Sequence, residues 1–385
     1  MNFIKDIEIK NKKVILRSDL NVTIKDGKII DDTKIIKSLK TINYLIENNN
    51  SIIILSHLGK IKSESDKDKN TLYPVYLRLK ELLNVDIKFS KVPKGEELEK
   101  LTKNLKAKEI ILVENTRYMD YPEKLESKCD LGLAKYWANL GDIFINDAFG
   151  TSHRCHTSNY GIKKYIKSAY GFLIEEEKQK LDELINNPEK PFTVIMGGAK
   201  VEDKLKLISE LLKKCDNLIV GGGIANTFIH ANGYEIGNSL VSLENINEIK
   251  EIIKEYKNKI IIPIDFYVDN NQEKKYRKLN KIDKQDIIYD VGEESIKLYK
   301  EIINKSSTIF INGTIGLYEN EKFKYGTNEL LNMLSKSECK TYVGGGDAVS
   351  ATNKLGYTDA FYFKSTGGGA TLEYIINKSM ASLEE

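Results

Sequence analysis

The sequence predicts an α/β fold built from two doubly wound parallel-sheet domains that are joined by an interdomain helix. Short apolar runs alternate with amphipathic helical patterns in both halves of the chain, which is typical of parallel sheets. The length of 385 residues suits two domains of ordinary size, each with its own core. A helical pattern that stops at Pro188 separates the two halves.

The first half contains four apolar runs that end in polar or charged residues. Asp19, Asn21, His57, Arg117 and Arg154 follow these runs. Ligands of doubly wound sheets lie beyond the carboxyl ends of the strands, so these side chains predict a binding site there. The runs are 14–17, 52–55, 110–113 and 143–145, and helical patterns such as 35–45 and 77–83 lie between them.

Residues 171–188 are predicted to form the helix between the domains. Leucine and isoleucine recur there at helical spacing among glutamate and lysine residues. The first domain is then 1–170 and the second is 189–369. An ordinary surface helix is the alternative interpretation of 171–188.

The second half repeats the alternation, and four of its turns are rich in glycine. Each turn follows an apolar run and opens a helical pattern. Glycine allows a ligand to approach the backbone closely, and the N–H groups at a helix N-terminus favour an anion. The turns are 197–198, 221–223, 344–346 and 367–369, and the runs are 192–196, 217–220, 259–264, 287–291, 307–311, 340–343 and 359–363.

Two lysines follow the first glycine turn. Lys200 and Lys204 are four residues apart, which predicts that they share one face at the start of a helix. One such turn alone is explained as well by solvated lysines at a tight bend, but four turns together predict a polyphosphate site. None of the turns fits GxxxxGK[ST] or a GxGxxG followed by an acidic residue about twenty positions later, which disfavours Walker-A and dinucleotide folds.

The composition is typical of a soluble globular protein, with 41% hydrophobic and 30% charged residues. A net charge of +3 is too balanced to indicate a nucleic-acid partner. The first ten residues are polar, and no apolar run is long enough to span a bilayer. Four scattered cysteines indicate reduced thiols. We therefore expect a cytoplasmic protein without a membrane or nucleic-acid partner.

Arginine is scarce, since only five of the 59 basic residues are arginine. Such a bias suggests that lysine is used wherever either residue would serve. The arginines that remain are candidates for binding phosphate or carboxylate, because only the planar guanidinium holds those groups with two parallel hydrogen bonds. Arg17, Arg117 and Arg154 all lie near the ends of predicted strands.

Taken together, these motifs resemble those of the phosphoglycerate kinase family, over essentially the whole chain and in the family's order. The most specific segment is FINDAFGTSHRCHTS, which begins at Phe144. The others are RSDLN, SHLGK, VENTRY, MGGAKVEDK, GGGIANTF, INGTIGLYE, GGGDA and STGGGATLE.

The resemblance implies a two-domain, hinge-bending glycolytic kinase. Such an enzyme transfers the acyl phosphate of 1,3-bisphosphoglycerate to ADP, giving 3-phosphoglycerate and ATP, with Mg²⁺. It implies a monomer with a reaction at the cleft between a phosphoglycerate-binding first domain and a nucleotide-binding second domain. It also implies that the C-terminal segment 370–385 packs back on the first domain.

The resemblance assigns roles to residues that match the family's motifs. Lys34 and Lys200 would be catalytic, together with the phosphoryl-binding turn Gly367, Gly368 and Gly369. Asp347 would hold Mg²⁺. Phosphoglycerate would be bound by Arg17, Asp19, Asn21, Lys34, His57, Lys60, Arg117 and Arg154. The nucleotide would be bound by Gly198, Lys200, Lys204, Gly222, Asn312, Leu317, Glu319, Gly345, Gly346, Asp347 and Ala348.

Several residues depart from the family pattern. Lys34 and Lys60 stand where the family has arginines, and a lysine keeps the charge but loses the planar fork. Losing one hydrogen bond to a charged group costs on the order of 1.5–3 kcal/mol. Thr314 stands where the family has proline, and Ala348 replaces a hydroxyl residue beside Asp347. These departures concern the turnover rate more than the identity.

Two other hypotheses remain open at this stage. The departures at Lys34 and Ala348 would also suit a weak or inactive paralogue that binds the nucleotide and phosphoglycerate. A doubly wound sheet would also suit an NAD-dependent dehydrogenase. The predicted phosphotransfer needs no general base, because the acceptor carboxylate is already ionised. His153 and His156 are unlikely metal ligands, because they lack Cys or Glu partners.

Overall fold

The computed structural model describes residues 1–384 and divides them into two compact units. Unit 1 contains Met1–Gln179 and the chain from Ser379 onward, and unit 2 contains Lys180–Lys378. The border between the units falls inside the helix Phe172–Asn186. Each unit is built around its own parallel sheet, as the alternating pattern of the sequence predicts.

Unit 1 has eight strands and five helices, and a sixth helix continues into unit 2. The strands are β1 (Lys13–Ser18), β2 (Ile24–Lys25), β3 (Lys28–Ile29), β4 (Ser51–Leu55), β5 (Ile87–Ser90), β6 (Ile110–Val113), β7 (Ile143–Asp147) and β8 (Ser168–Tyr170). The helices are α1 (Thr33–Glu47), α2 (Ser65–Lys69), α3 (Tyr73–Leu82), α4 (Glu96–Lys103), α5 (Leu131–Ala138) and α6 (Phe172–Asn186).

Six of these strands form the parallel sheet of unit 1, in the order β5-β6-β4-β1-β7-β8. The sheet is buried on both faces because successive side chains of a strand point to opposite sides. On β1, Val14 and Leu16 belong to a core cluster with residues of α1 and α3. Ile15 belongs to a second cluster that contains Leu98 and Trp137. The short strands β5 and β8 were not predicted.

Unit 2 has nine strands and seven further helices. The strands are β9 (Phe192–Met196), β10 (Asn217–Val220), β11 (Ile260–Ile261), β12 (Asp265–Asn270), β13 (Glu273–Lys278), β14 (Ile287–Val291), β15 (Thr308–Asn312), β16 (Lys340–Gly344) and β17 (Phe363–Lys364). The helices are α7 (Leu205–Leu212), α8 (Gly222–Ala231), α9 (Ile246–Tyr256), α10 (Glu293–Ile303), α11 (Tyr325–Ser335), α12 (Gly346–Lys354) and α13 (Gly369–Asn377).

The sheets of unit 2 correct one sequence prediction. A six-stranded parallel sheet has the order β11-β10-β9-β15-β16-β17. The run 287–291, which was predicted to continue the parallel alternation, instead forms the edge strand β14 of an antiparallel sheet of order β13-β12-β14. The hairpin of β12 and β13 was missed because β13 is mostly charged and carries no apolar face.

The position of the two lysines after the first glycine turn also differs from the prediction. A short 3₁₀ turn spans Glu202–Lys204, and helix α7 begins only at Leu205. Lys200 therefore lies in the loop before the helix, and the two lysines do not share a helical face. The other three glycine turns lead into α8, α12 and α13 as predicted.

The C-terminal residues are hydrogen-bonded to the body of unit 1. The Ser382 N–H donates to the Ser152 carbonyl at 3.0 Å, and the Asn146 side-chain amide donates to Ser382 Oγ at 3.2 Å. The Lys163 ammonium donates to the Ser382 carbonyl at 2.9 Å. Residue 382 is thus held by three separate parts of the chain. Among residues 1–384, no helix is long and apolar enough to cross a membrane.

A buried carboxyl group caps the first turn of α6. Asp147, at the end of β7, is 1% exposed, and its Oδ1 accepts the N–H groups of Leu173 at 2.8 Å and Ile174 at 3.2 Å. Burial raises the pKa of Asp147 to about 7, although these hydrogen bonds lower it. The folded state therefore retains a proton on this group at a pH where the unfolded chain has lost it.

We expect Asp147→Asn to flatten the pH dependence of stability. A carboxyl whose pKa is raised on folding stabilises the protein below its unfolded value and loses that contribution as pH rises towards 7. Between pH 4.5 and 7.5, the free energy of unfolding should fall by about 3 kcal/mol more in the unaltered chain than in the variant. Urea unfolding followed by the fluorescence of the single tryptophan, Trp137, measures this in unit 1.

The matched control is Asp68→Asn, which replaces an exposed carboxyl of the same unit and should leave the pH profile unchanged. Parallel pH profiles for Asp147→Asn and the unaltered chain would contradict the assignment.

Candidate functional site

Several basic side chains of unit 1 lie at the carboxyl ends of its central strands. Arg17 is in β1, His57 follows β4 and Arg117 follows β6, and all three are buried. Since the parallel strands β1, β4 and β6 are neighbours, their ends meet at one edge of the sheet. The sequence prediction that these residues come together is consistent with this arrangement.

Arg17 is the most deeply buried cation of the cluster, with no exposed surface. Its Nε donates to Ser158 Oγ at 2.8 Å, one Nη donates to the Ser18 carbonyl, and the other lies 3.1 Å from His57 Nδ1. Burial lowers the pKa of Arg17, whereas the buried carboxylate of Glu126 raises it. Among the described residues, Glu126 and Asp19 are the carboxylates that compensate this charge, with Glu126 contributing more.

Asp19, Asn21 and Lys34 form a second group at the same edge. The Lys34 ammonium lies 2.8 Å from Asp19 Oδ2 and keeps 29% of its side chain exposed. Asn21 Oδ1 accepts the N–H of Gly59 at 3.0 Å. These contacts tie the loop after β1 to α1 and to the loop after β4. Lys34 therefore reaches the cluster from helix α1, and its side chain stays partly exposed.

The remaining cations differ in exposure. Arg117 is 7% exposed and donates through Nη1 to the Gly59 carbonyl. Arg154 and Lys60 are exposed, and Arg154 Nε contacts His153. Burial lowers the pKa of Arg117, and the charge of Arg154 lowers it further. The cluster is therefore short of negative charge, which an anionic ligand would supply.

Three buried polar atoms of this cluster have no hydrogen-bond partner within residues 1–384. They are Ser18 Oγ, Arg117 Nε and His156 Nδ1. Burial, together with the charges of Arg117 and Arg17, lowers the pKa of His156 to about 3, so the ring is neutral at pH 7. Buried polar groups are normally satisfied, and three unsatisfied ones together indicate a place for a polar ligand.

Unit 2 contains a cavity of about 500 Å³ with a largely apolar wall. This volume is ordinary for a site that binds a small organic molecule. Glycines of the turns after β9 and β10 form one side, and the hairpin sheet forms the other. Lining residues include Gly198, Gly222, Phe266, Tyr289, Leu317, Glu319 and Asp347. The predicted nucleotide residues Gly198, Gly222, Leu317 and Glu319 are thus brought together here.

A smaller cavity of about 110 Å³ adjoins the first through Asp347, which lines both. Its walls are the ends of β15 and β16, the starts of α12 and α13, and the Lys204 side chain. The Lys204 ammonium donates to the Gly197 carbonyl at 2.7 Å. Burial lowers the pKa of Lys204, and Asp347 opposes this shift. Two helix N-termini and one cation at a small cavity suit a phosphate group.

Glycine is required around the smaller cavity for two different reasons. Gly345 has φ +89°, and a Cβ there would lie 2.3 Å from Asn312 Nδ2, so close packing excludes a side chain. Asn312 is 1% exposed, and its Oδ1 has no partner among the described residues. At Gly346, Gly368 and Gly369, by contrast, an added Cβ would meet nothing within 4 Å. The open space beside these three glycines is the room that a ligand can use.

Three predicted residues lie differently from the rest. Lys200 is exposed and does not line either cavity. Ala348 is 2% exposed and packs in the core of unit 2, next to Asp347 but not on either cavity wall. Gly367 is buried, and its N–H donates to Ser365 Oγ at 3.1 Å. The N–H groups of Gly368 and Gly369 are left to face a ligand at the start of α13.

Sequence reasoning missed several residues of these sites. Glu126 and Ser158 are fully buried beside Arg17, and Asp290 lines the larger cavity. An isolated glutamate in a polar loop carries no periodic signal, so its burial could not be predicted. The apolar wall from β12 and β14 was missed because the hairpin sheet itself was not predicted.

Comparisons with known proteins agree with one another. The family model described as phosphoglycerate kinase matches residues 4–378. A phosphoglycerate kinase of Listeria innocua is 42% identical over 380 residues, covering 97% of this chain and 96% of its own length. One of Mycoplasmoides gallisepticum is 44% identical over 401 aligned positions, covering 99% of this chain and 97% of its own length.

Solved structures give the same result. Phosphoglycerate kinase from Coxiella burnetii superposes with a TM-score of 0.85 at 35% identity and covers 98% of this chain and 96% of its own. The enzyme from Pyrococcus horikoshii OT3 has a TM-score of 0.85 at 31% identity and covers 100% of this chain and 98% of its own. The resemblance found in the motifs thus extends over the sequence and fold of nearly the whole chain. The chain therefore belongs to the phosphoglycerate kinase family.

Proposed function

We propose that unit 1 binds 3-phosphoglycerate or 1,3-bisphosphoglycerate and that unit 2 binds ADP or ATP with Mg²⁺. Membership of the family makes the chain a glycolytic phosphotransferase whose acceptor is a carboxyl group. It catalyses the reversible transfer of a phosphoryl group between 1,3-bisphosphoglycerate and ADP. The proposal concerns which residues of this chain perform that reaction.

The observation that carries the proposal is the pair of adjoining cavities in unit 2. The larger is apolar enough for a base and ribose, with Leu317 and Glu319 on its wall, and the smaller offers Lys204 and two helix N-termini to phosphates. Glu319 would accept hydrogen bonds from the ribose hydroxyls. A nucleotide has the same division into an apolar and an anionic part. We therefore place the phosphates at the smaller cavity, beside Gly346, Gly368 and Gly369.

Asp347 is suited to a magnesium ion that accompanies the nucleotide. It is exposed and lines both cavities at the start of α12. Mg²⁺ typically binds through one or two carboxylates together with substrate phosphates and water, so a single aspartate fits its needs. The ion would neutralise phosphate charge. Lys204, whose pKa is lowered by burial although the Asp347 charge opposes that shift, would share that task from the smaller cavity.

In unit 1 the carboxylate and phosphate of phosphoglycerate would satisfy the basic cluster. Arg154 and Lys60 would contact the ligand from the exposed side, and Arg117 and His57 from the buried side. Lys34, whose side chain is partly exposed, would contact it from α1. Support comes from the unpartnered atoms of Ser18, Arg117 and His156 and from the excess of positive charge. Arg17 would act mainly through the electrostatic field of its positive charge, because its N–H groups already donate to Ser158 and Ser18.

The chemistry needs positioning and charge neutralisation rather than a base. A carboxylate oxygen of 3-phosphoglycerate attacks the γ-phosphorus of ATP, the bond to the β,γ-bridging oxygen breaks, and ADP leaves with that electron pair. No proton is transferred to the protein. Lys200, exposed in its loop, would follow the phosphoryl group during transfer, while the N–H groups of Gly368 and Gly369 would face its oxygens.

No finding favours the inactive alternative, and family membership argues against a dehydrogenase. Lys34 still forms an ion pair with Asp19. Ala348 lies in the core, where the hydroxyl group of another residue at this position would be buried. We further propose a cytoplasmic monomer that closes about a hinge and has no nucleic-acid partner. A coupled steady-state assay with 3-phosphoglycerate and magnesium ATP tests the activity, and binding without turnover would contradict it.

We expect Lys200→Ala to lower kcat by roughly a hundredfold or more, because it removes a charge that stabilises the transferring phosphoryl group. ADP affinity, measured by calorimetry, should change by less than about threefold. Lys204→Ala should instead weaken ADP binding, because Lys204 lines the smaller cavity. The control is Lys206→Ala, an exposed lysine on α7. An equal loss of kcat and ADP affinity in Lys200→Ala would make Lys200 a nucleotide anchor.

We expect Gly369→Ala to fold as stably as the unaltered chain, since its Cβ meets nothing within 4 Å. The methyl group would occupy phosphate space, and kcat/KM for magnesium ATP should fall by roughly tenfold. Gly132→Ala, at the start of α5, is the contrasting control: its Cβ would lie 3.3 Å from the capping oxygen Asp130 Oδ1, so this variant should affect Tm and not the kinetics. Unchanged kinetics together with an unchanged Tm would remove Gly369 from the site.

We expect Lys34→Arg to leave activity equal or higher, because a guanidinium can keep the Asp19 contact and add a second hydrogen bond to the ligand. The KM for 3-phosphoglycerate should fall or stay within about twofold. Lys37→Arg, on the same helix but paired with Glu176, is the control. A drop in kcat/KM beyond tenfold would show that the site has adapted to lysine.

A further inference from the structure

Glu126 is a fully buried carboxylate that none of the roles above uses. It lies in the segment between β6 and α5, with no exposed surface. One carboxylate oxygen accepts the hydroxyl of Ser158 and, at 3.3 Å, that of Thr116. The other accepts the N–H of Ser158 at 3.0 Å. A buried charge with this many donors is held in one orientation.

Glu126 and His57 are connected through Ser158 and Arg17 by hydrogen bonds in which the donor of each bond is fixed. A guanidinium can only donate, so Arg17 Nε–H gives its hydrogen to Ser158 Oγ. The Ser158 hydroxyl must then direct its own hydrogen to Glu126. At the other end, the Arg17 Nη2–H donates to His57 Nδ1 over 3.1 Å. His57 Nδ1 is therefore an acceptor and carries no hydrogen.

A histidine with a bare Nδ1 is neutral and carries its hydrogen on Nε2. No residue among 1–384 accepts a hydrogen bond from this Nε2, and it is not among the buried unpartnered atoms. The Nε2–H is thus the donor that His57 can offer to a bound anion. If His57 carried its hydrogen on Nδ1 instead, that N–H would face the N–H donor of Arg17. Its Nε2 would then present a lone pair, which repels a phosphate or carboxylate.

We propose that Glu126 is a positioning residue for phosphoglycerate: through Ser158 and Arg17 it keeps His57 neutral, with Nε2–H available to the substrate. The proposal rests on the proposed role of unit 1 in binding phosphoglycerate. It assigns the same function to Ser158, which joins the carboxylate to the guanidinium. Neither residue contacts the substrate in this proposal.

The charges around His57 support the neutral form. Burial lowers the pKa of His57 well below its usual value, and the charges of Arg17, Arg117 and Lys34 lower it further. Burial raises the pKa of the Glu126 carboxyl, whereas the Arg17 charge and the Ser158 hydrogen bonds lower it. The guanidinium and the carboxylate thus each favour the charged form of the other, while the imidazole stays neutral.

The test is a ¹H–¹⁵N correlation spectrum of the full chain without ligand, with histidines labelled. Only four histidines are present, so His57 can be assigned with His57→Gln. In the unaltered protein the His57 resonances should show the Nε2–H tautomer and should not titrate between pH 8 and 5. In Glu126→Gln and Ser158→Ala, Arg17 is released, and His57 should show mixed tautomers or titrate.

The kinetic counterpart separates positioning from simple structural loss. Glu126→Gln should raise the KM for 3-phosphoglycerate roughly tenfold and leave the KM for ATP within about twofold. Ser158→Ala should have a similar effect, and the double variant should be no worse than either single one. Glu114→Gln is the control, because Glu114 is also buried in unit 1 but accepts from Thr71 and Leu72 instead.

The outcomes are distinguishable. A His57 that carries its hydrogen on Nδ1, or that is charged at pH 7, would overturn the proposal whatever the kinetics. So would normal His57 spectra in Glu126→Gln accompanied by a lower Tm alone. Failure of the unaltered chain to bind 3-phosphoglycerate by calorimetry would instead contradict the proposed role of unit 1. The spectrum of the free protein does not depend on that result.

Discussion

The buried guanidinium of Arg17 is the constraint on which the basic cluster of unit 1 depends. A cation without exposed surface needs compensation close by, because burial removes its hydration. Here Ser158 and Glu126 supply it from one side, and the Ser18 carbonyl supplies it from the strand itself. Arg117, Lys34 and the neutral imidazole of His57 then take positions around a charge that cannot move. The field at the strand ends is fixed before any substrate arrives.

In unit 2 the candidate site is formed by backbone rather than by buried cations. Gly345 lies so close to Asn312 that no side chain fits, while Gly346, Gly368 and Gly369 face open space. Gly345 forms part of the wall of the smaller cavity, whereas the other three glycines leave space beside the backbone empty. Among residues 1–384, Lys204 is the one cation that lines the smaller cavity, and two helix N-termini add partial positive charge there. The two units thus attract negative charge by different means.

The sequence predicted those features that follow from periodicity and from strand ends. Apolar runs predicted both parallel sheets, and the residues after the runs, from Asp19 to Asp347, predicted the sheet edges at which the candidate sites lie. Two kinds of feature could not be predicted. The antiparallel sheet could not be predicted because β13 is charged along both faces and pairs through its backbone. Glu126 and Ser158 escaped because their burial depends on long-range packing around Arg17, which no local pattern reports. Lys200 was placed on a helix because glycine turns usually lead directly into one, whereas here a 3₁₀ turn intervenes.

The hydrogen bonds of Ser382 to Ser152, Asn146 and Lys163 have a consequence for biosynthesis. Ribosomes make the chain from its N-terminus, so most of unit 1 emerges first, yet the residues that bond to it around position 382 emerge only after all of unit 2. Unit 1 is therefore translated first but forms the last of its hydrogen bonds only when the whole chain has emerged. Until then, the polar groups of β7 and the following loop that await Ser382 stay hydrated, and a nascent unit 1 is less protected against proteases than the finished one.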